Sequence, residues 1–362
     1  MKSLTPERLE KLKRVVSGLG PQPKILITQL DFDAKGEAML LRYTLKRWIG
    51  CECQIFYAGN DDDLQTKTTF GILGLAAYMT SLKKFRGDTL GDVILVDSNR
   101  KHDSRVRDVT FNPVIAIDHH PDSDLVESDA TWFCNDTLAG AGTTIVGEIF
   151  RALDLEVIDD HEWQIVCTIA ALGIDMDTHH FSEKIDRRRD REIWHWLRNY
   201  AINTSYSELL RLNRPVRYYD LLHEVTDRKR WLIKETLLVM NVGLIDEDEL
   251  DWIALFADEL LLNALFQTVI VWAPVKGVGV CGKIRTDKPS EDLEDLIKKL
   301  DASGGGKGNI EFGIGAAAFT RPMDEFSAPD GSNTKELIKW FDKCLRRALE
   351  IPENGNEVES EQ

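Results

Sequence analysis

The fold of this chain is decided by the run Val114-Ile115-Ala116-Ile117-Asp118-His119-His120-Pro121, in which an apolar stretch leads directly into an acid and two histidines. Two similar junctions lie upstream, where Ile25–Ile27 precede Asp31-Phe32-Asp33 and Val93–Val96 precede Asp97. Short apolar runs of this kind are typical of strands buried in a parallel sheet. Because the loops after parallel strands meet at one edge of the sheet, we expect these polar groups to converge.

A fourth acidic cluster, Asp175-Met176-Asp177-Thr178, follows an apolar helical stretch from Trp163 to Leu172. Further helices are predicted at Pro6–Leu19, which is amphipathic, and at Glu37–Trp48. Strands that alternate with helices indicate a doubly wound parallel sheet, so the chain is predicted to be of the α/β class. The four clusters together predict a site for two metal ions.

Length and composition limit the possibilities. The chain has 362 residues, which exceeds the size at which a single core stops growing, so two domains are expected. The first residues lack the apolar core of a signal peptide, and no apolar stretch approaches the ~20 residues of a membrane helix. We therefore expect a cytoplasmic protein without membrane contact. Its six cysteines are scattered without CxxC spacing, which favours reduced thiols over a zinc site.

The net charge of -16 bears on the substrate. Long nucleic acid is bound by neutralising phosphates with Lys and Arg, and an acidic chain repels a polyanion unless a local basic groove overrides the mean. A small nucleotide or a short oligonucleotide is therefore the expected partner, and long nucleic acid is not. A homodimer is one of the oligomeric states that the sequence allows.

Domain boundaries are predicted from a change in the composition of the sequence after the fourth acidic cluster. We predict a catalytic domain at 1–210, a linker at 211–230, a second domain at 231–350 and a disordered acidic tail at 351–362. The dense charge run Asp186–Arg191 is interpreted as a solvated face. Substrate is expected in the cleft between the domains.

The order of four motifs resembles the DHH phosphoesterase superfamily. They are DxDA (31–34), VDS (96–98), DHH (118–120) and GIxxDT (173–178). Four motifs in order are far more specific than DHH alone. Further along, Val280–Thr286 and Ser303–Lys307 resemble the arginine strand and the glycine-rich loop of the DHHA1 domain. The resemblance implies a doubly wound parallel-sheet DHH domain followed by a smaller α/β DHHA1 domain.

The resemblance also implies a metal-dependent phosphoesterase, a hydrolase with two divalent cations, Mn²⁺ in preference to Mg²⁺. Two such ions about 3.5–4 Å apart activate water and neutralise phosphoryl charge, and they prefer carboxylates with some imidazole. Asp97, as the bridge, His119 and His120 fall on catalytic positions. Asp118 either orients a histidine or caps the turn. The implied metal ligands are Asp31, Asp33, Asp97, His119 and Asp177.

Substrate contacts are implied from both domains. Arg285 would offer a planar fork to a phosphate, with an inter-domain salt bridge as the alternative. The glycine run would present backbone N–H groups and Lys307 a point charge, with a flexible turn as the alternative. Of His179 and His180 at most one reaches the site, and His180 is assigned to it. The implied substrate residues are Arg285, Gly304, Gly305, Gly306, Lys307 and His180.

Two positions depart from the patterns of particular branches. Ile27 stands where the oligoribonuclease/pAp phosphatase branch has a histidine, and Lys35 stands where RecJ-type sequences have a third aspartate. We expect Lys35 to point outward from the start of a helix rather than to act as a counter-ion to the acids. Neither departure excludes catalysis.

The predicted function is a two-metal phosphodiesterase or phosphatase acting on short oligonucleotides or small phosphorylated nucleotides such as pAp. One alternative is a RecJ-like single-strand exonuclease, which would benefit from an additional nucleic-acid domain and stacking aromatics. The other is a catalytically inactive nucleotide-binding regulatory protein, which the two departures allow and the retention of all five ligands opposes.

Overall fold

The computed structural model describes residues 4–20, 22–58, 64–98, 106, 109–120, 123–181, 187–210, 216–227, 231–263, 266–287, 293–300, 302–307, 315–321 and 334–351. The chain divides into two compact units, Met1–Leu212 and Asn213–Gln362. Within the described ranges, none of the helices is both long and apolar enough to span a membrane.

The first unit is built on a six-stranded sheet in which every pairing is parallel. The strand order is β3-β2-β1-β4-β5-β6, so the chain leaves β1 in one direction and returns to its other side at β4. This is a doubly wound sheet with its switch point between β1 and β4. Its strands are β1 Lys24–Ile27, β2 Gln54–Tyr57, β3 Met79–Ser81, β4 Thr89–Val96, β5 Thr110–Asp118 and β6 Trp132–Asn135.

Apolar residues cover both faces of this sheet, as parallel sheets require. Ile25 and Ile27 belong to the larger core, whereas Leu26 between them belongs to a second cluster on the opposite face. The alternation follows from the two-residue period of a strand. The helices of this unit are α1 Pro6–Ser17, α2 Phe32–Ile49, α3 Leu64–Leu73, α4 Gly142–Ala152, α5 His161–Asp177, α6 Arg188–Arg198 and α7 Asn203–Leu210.

Helices α2 and α5 cross in direct backbone contact, and two glycines make this possible. A Cβ at Gly36 would lie 2.9 Å from Ala170 Cα, and a Cβ at Gly173 would lie 2.9 Å from Asp33 Cα. Separations below 3.0 Å are essentially absent between real Cβ atoms and their neighbours. The crossing therefore fixes the last turn of α5 beside the first turn of α2, which brings the fourth acidic cluster to the first.

The second unit contains another six-stranded sheet, in the order β11-β12-β10-β9-β8-β7. Only the β8–β9 pairing is parallel, and the other four are antiparallel. The strands are β7 Trp231–Lys234, β8 Leu237–Asn241, β9 Thr268–Val275, β10 Gly279–Thr286, β11 Ser303–Lys307 and β12 Gly315–Arg321. The helices are α8 Val216–Thr226, α9 Leu250–Asn263, α10 Leu293–Lys299 and α11 Thr334–Ala348. The predicted class, α/β with a doubly wound domain and a smaller second domain, is confirmed.

Several local predictions differ from the structure. Helix α8 falls within the span predicted as a linker, and its Tyr218 lies in an apolar core with Phe256 of the second unit. The glycine-rich run 303–307 is a strand paired with β12 rather than a loop. In the charge run, Arg187 and Asp190 are buried, so interpreting all of it as a solvated face was wrong. Of the predicted acidic tail, residues 352–362 lie outside the described residues.

Candidate metal centre

The carboxylate of Asp33 is held at the start of helix α4. Asp33 sits in the first turn of α2 and is buried. Its Oδ2 accepts a hydrogen bond from the backbone N–H of Gly142 at 2.7 Å, and its Oδ1 accepts one from Thr143 N–H at 3.1 Å. Helix N-termini present N–H groups that have no partner within the helix, and these stabilise an anion. The orientation of this carboxylate is therefore set by a helix more than 100 positions away in sequence.

Asp97 follows β4 in a strained backbone conformation. Its φ of 49° lies in the left-handed region, which costs a non-glycine residue of order 1–3 kcal/mol and is concentrated at functional sites. Its Oδ1 is buried and has no hydrogen-bond partner among the described residues. The same atom lies 3.7 Å from His119 Nε2 and 3.6 Å from His120 Nδ1. A strained residue thus directs an unsatisfied oxygen at both histidines.

His119 follows β5, and its Nε2 atom is the point on which three acids converge. It lies 3.1 Å from Asp177 Oδ2, 3.7 Å from Asp97 Oδ1 and 3.8 Å from Asp33 Oδ2. Burial alone would lower the pKa of His119, but the nearby carboxylates of Asp177, Asp97 and Asp33 raise that pKa well above its ordinary value. One nitrogen cannot satisfy three carboxylates, so the cluster carries an excess of negative charge.

The raised pKa values of two of the acids reflect this excess of negative charge. Burial, with the charges of Asp177 and Asp97, raises the pKa of Asp33 well above its ordinary value. Burial, with the charges of Asp97 and Asp177, raises the pKa of Asp31 to about 7. Asp31 is the N-cap of α2, where its Oδ1 accepts from Ala34 N–H at 2.9 Å and its Oδ2 from Gln29 Nε2 at 2.8 Å. Close carboxylates that cannot all ionise favourably are the setting in which a divalent cation is stabilising.

Asp118 both caps the turn after β5 and orients a histidine, so the two alternatives left open by the sequence occur together. Its Oδ1 accepts hydrogen bonds from the backbone N–H groups of His119 at 2.7 Å and His120 at 3.1 Å. The same oxygen lies 2.6 Å from His120 Nδ1. A carboxylate in this position fixes the ring orientation and the tautomer of the imidazole.

Replacing Asp118 with asparagine is expected to lower catalytic activity by about 10–100-fold, the usual effect of removing an orienting carboxylate. The amide oxygen can still accept the two backbone hydrogen bonds, but the negative charge that holds His120 is lost. Steady-state kinetics at saturating Mn²⁺ measures the effect, with the exposed Asp129→Asn as the charge-matched control. An unchanged kcat would show that Asp118 acts only as a turn cap.

Among the described residues, three overlapping groups of side chains each place their ligand atoms within 4.8 Å of one another. Of the predicted metal ligands, the structure places Asp33, Asp97, His119 and Asp177 in these groups, and Asp31 couples electrostatically to two of them. The donors are carboxylates with imidazole, and Asp97 Oδ1 and His119 Nε2 are buried without hydrogen bonds among the described residues. Both observations fit a divalent cation. The groups are Asp97, Asp118, His119 and His120; Asp33, His119 and Asp177; and Asp33, Glu37 and Asp97.

Glu37 is a member of the centre that the sequence analysis missed. It lies one helical turn after Asp33 on α2 and is fully buried. Burial, together with the charges of Asp33, Asp97 and Asp118, raises its pKa well above the ordinary value. Residues four apart share one face of a helix, so the spacing between Asp33 and Glu37 was the available signal.

Lys35 is fully buried, so the expectation that it points outward was wrong. Its Nζ lies 3.2 Å from Thr66 Oγ1 and 5.3 Å from the centroid of the Phe32 ring. The charge of Lys35 lowers the pKa of Asp31 and so opposes the stronger effect of burial. Lys35 is therefore a buried counter-charge to the acids, the alternative that the sequence analysis ranked second.

The predicted substrate residues lie in different settings. His180 has a left-handed φ of 56°, and its largely exposed ring places Nδ1 3.2 Å from Asp175 Oδ1. Arg285 donates from Nε to Asp258 Oδ1 at 2.5 Å, and both residues belong to the second unit, so this pair is not the inter-domain salt bridge considered as an alternative. Gly304, Gly305, Gly306 and Lys307 form β11, and their side-chain environment lies outside the described residues.

Fold and site together define an α/β protein with a carboxylate and imidazole centre at the switch point of a parallel sheet. Among solved structures, the exopolyphosphatase-related protein from Bacteroides fragilis matches 96% of this chain and 98% of its own, with a TM-score of 0.67 and 11% sequence identity. RecJ from Thermus thermophilus, solved with Mn²⁺, has a TM-score of 0.47 and 14% identity, and the match covers 97% of this chain and 56% of RecJ.

No protein-family model matches the chain, and no curated protein matches its sequence. The likeness to the Bacteroides structure over nearly the full length of both chains shows that this protein shares the fold of that structure.

Proposed function

We propose that the protein is a divalent-metal-dependent phosphoesterase that hydrolyses short oligonucleotides or small phosphorylated nucleotides. The observation that carries the proposal is the convergence of Asp33, Asp97 and Asp177 on the Nε2 atom of His119. One imidazole cannot satisfy three carboxylates. Carboxylate oxygens in such a group are the ligands that hard divalent cations prefer. The motif order, which resembles that of the DHH phosphoesterases, and the fold shared with an exopolyphosphatase-related protein support the same chemistry.

The cations would be held by Asp33, Asp97, His119 and Asp177, with Asp31 beside them. Bound divalent ions would lower the pKa of a water molecule and neutralise charge on the phosphoryl group. The chain supplies the remaining functions. The first turn of α4 keeps Asp33 in a fixed orientation. Asp118 engages Nδ1 of His120 and so holds the imidazole in the orientation from which it would exchange a proton with the leaving oxygen.

Substrate size is the finer part of the proposal. The net charge of -16 opposes binding of a long polyanion. Arg285 and Lys307 are proposed to contact substrate phosphates, with Arg285 exchanging its partner Asp258 for phosphate oxygens because its guanidinium suits both anions. The proposed cofactor is Mn²⁺, because the ligand set includes imidazole as well as carboxylates.

A substrate panel tests the proposal. Purified protein with Mn²⁺ is incubated with pAp, a dinucleotide, a short RNA, inorganic polyphosphate and a long single strand, beside Asp97→Asn. Metal-dependent loss of pAp, the dinucleotide or the short RNA supports the proposal. Attack on the long strand supports the RecJ-like alternative, and attack on polyphosphate alone would replace the substrate class. No turnover of any substrate, with the variant behaving identically, would overturn catalysis and favour the nucleotide-binding alternative.

Metal loading is expected to raise the thermal stability of the protein. A ligand that binds only the folded state stabilises it by RT ln(1 + [L]/Kd), about 2.7 kcal/mol at 100 times Kd. For a unit of this size each kcal/mol corresponds to about 2–4 °C, so Mn²⁺ should raise the Tm by about 5–10 °C. Differential scanning calorimetry with Mn²⁺, and again after excess chelator, measures the shift. A Tm that does not respond to Mn²⁺ or Mg²⁺ would contradict the metal centre.

A further inference from the structure

The carboxylate of Glu37 is buried without a hydrogen-bond partner among the described residues. Its side chain is fully buried within the first unit. Neither Oε1 nor Oε2 has a hydrogen-bond partner among the described residues. A buried carboxylate without a partner is strongly destabilising when ionised, and a neutral one still leaves a donor and an acceptor unpaired. Something outside the described groups must therefore balance it.

The neighbours of Glu37 identify the kind of partner. The charged groups that shift its pKa are Asp33, Asp97 and Asp118, all acids, and His119. One oxygen of Glu37 lies within 4.8 Å of ligand atoms from both Asp33 and Asp97. Three carboxylates that share so small a volume repel one another unless a cation lies among them. The chemistry of the group is that of an all-oxygen cation site.

Gly142 provides an independent observation, because it leaves the space that Glu37 occupies. A Cβ at position 142 would overlap Glu37 Oε2 and its carboxyl carbon. The backbone of Gly142 is not in the left-handed region, so any residue could adopt its conformation. The absence of a side chain at Gly142 therefore provides space rather than an unusual φ, and the Glu37 carboxylate fills that space.

We propose that Glu37 is a further ligand of the metal centre and that, with Asp33 and Asp97, it binds a hard divalent cation of the Mg²⁺ or Mn²⁺ class. This inference rests on the proposed function, since it adds a residue to the same centre. The Glu37 group contains only carboxylates, whereas the group of Asp33, His119 and Asp177 includes imidazole. Oxygen ligands suit Mg²⁺ and Mn²⁺ alike, and imidazole favours Mn²⁺ over Mg²⁺. The Glu37 group is thus the better suited of the two to Mg²⁺.

Isothermal titration of the full chain with Mn²⁺ and with Mg²⁺ tests the proposal. Glu37→Gln keeps the shape of the side chain and removes its charge. It is expected to weaken Mg²⁺ binding by at least about 10-fold and to reduce the number of Mn²⁺ ions bound per chain. Glu148→Gln is the matched control, because Glu148 pairs with Arg189 and belongs to none of the ligand groups. Wild-type affinity and stoichiometry in Glu37→Gln would overturn the proposal.

Asp97→Asn separates the failure of this inference from that of the proposed function. If Asp97→Asn loses metal binding while Glu37→Gln keeps it, the metal centre stands and Glu37 is not a ligand. If the wild type binds neither ion, the proposed function fails together with this inference. The Tm of metal-free Glu37→Gln, expected to equal or exceed that of the metal-free wild type because one repelling charge is gone, shows that the variant is folded.

Gly142→Ala provides a second, independent variant. It keeps the backbone N–H that binds Asp33 but places a methyl group where Glu37 Oε2 lies. Gly142→Ala is expected to lose Mg²⁺ affinity to a similar extent as Glu37→Gln. The double variant should bind Mg²⁺ no more weakly than either single variant, because both changes remove the same ligand. If the losses of Mg²⁺ affinity multiply in the double variant, Gly142 acts independently of Glu37. That result would overturn the inference that Gly142 provides the space for the Glu37 carboxylate.

Discussion

Replacing Asp97 with asparagine is expected to lower kcat by about 10³-fold while the protein stays folded. Asp97 belongs to two of the three ligand groups, and its buried Oδ1 faces both histidines. Loss of a single preorganised electrostatic group in a water-excluded site costs about 10²–10³ in kcat, and a residue shared by two ligand groups lies at the upper end. Steady-state kinetics on the best substrate of the panel, at saturating Mn²⁺, measures the loss.

Asparagine is the appropriate replacement because Asp97 has a φ of 49°. Asn tolerates the left-handed region better than most side chains, so the variant does not add the backbone strain that alanine would. Asp92→Asn on the same strand, at an exposed position, is the matched control and should stay within about twofold of wild type. The metal-free variant should melt at or above the wild-type Tm, because one of several repelling carboxylates is neutralised. Activity within tenfold of wild type would contradict a central role for Asp97.

Gly173→Ala is expected to reduce both stability and metal affinity, because a methyl group would separate α5 from α2. Its Cβ would lie 2.9 Å from Asp33 Cα and 3.0 Å from Phe32 O, which are backbone atoms that cannot rotate away. Inserting one carbon into a packed interior costs about 1–3 kcal/mol. The displaced first turn of α2 carries Asp33, so Mn²⁺ affinity should also fall by at least about 10-fold. Urea denaturation and isothermal titration measure the two effects.

Gly71→Ala is the matched control for this substitution. Gly71 also lies within a helix, but no atom of the described residues approaches within 4 Å of its added Cβ. Alanine there should raise the free energy of unfolding by about 0.5–1 kcal/mol, the usual gain over glycine in a helix interior. If Gly173→Ala were as stable as wild type and kept its metal affinity, the close crossing of α2 and α5 would not be what positions the acids.

The sequence by itself determined three strands of the first sheet, β1, β4 and β5, and the order of the motifs that follow them. Each of these features is local: an apolar run specifies a buried strand, and the residue that follows it lies at the edge of the sheet. For this reason the sequence alone was enough to place Asp33, Asp97 and His119 in one site. Asp177 lies beside them in the structure, at the end of a strongly apolar helix, and its position completes the motif order.

Only the tertiary structure decided which polar residues near those motifs are buried. Lys35 and Glu37 stand in the first turns of a helix, where local rules predict solvent contact. Helix α5 covers that part of α2 because Gly36 and Gly173 allow backbone contact between segments more than 100 residues apart. Burial depends on this long-range contact, which no local pattern contains, so the buried counter-charge and the additional acid could not be predicted from their own neighbourhoods.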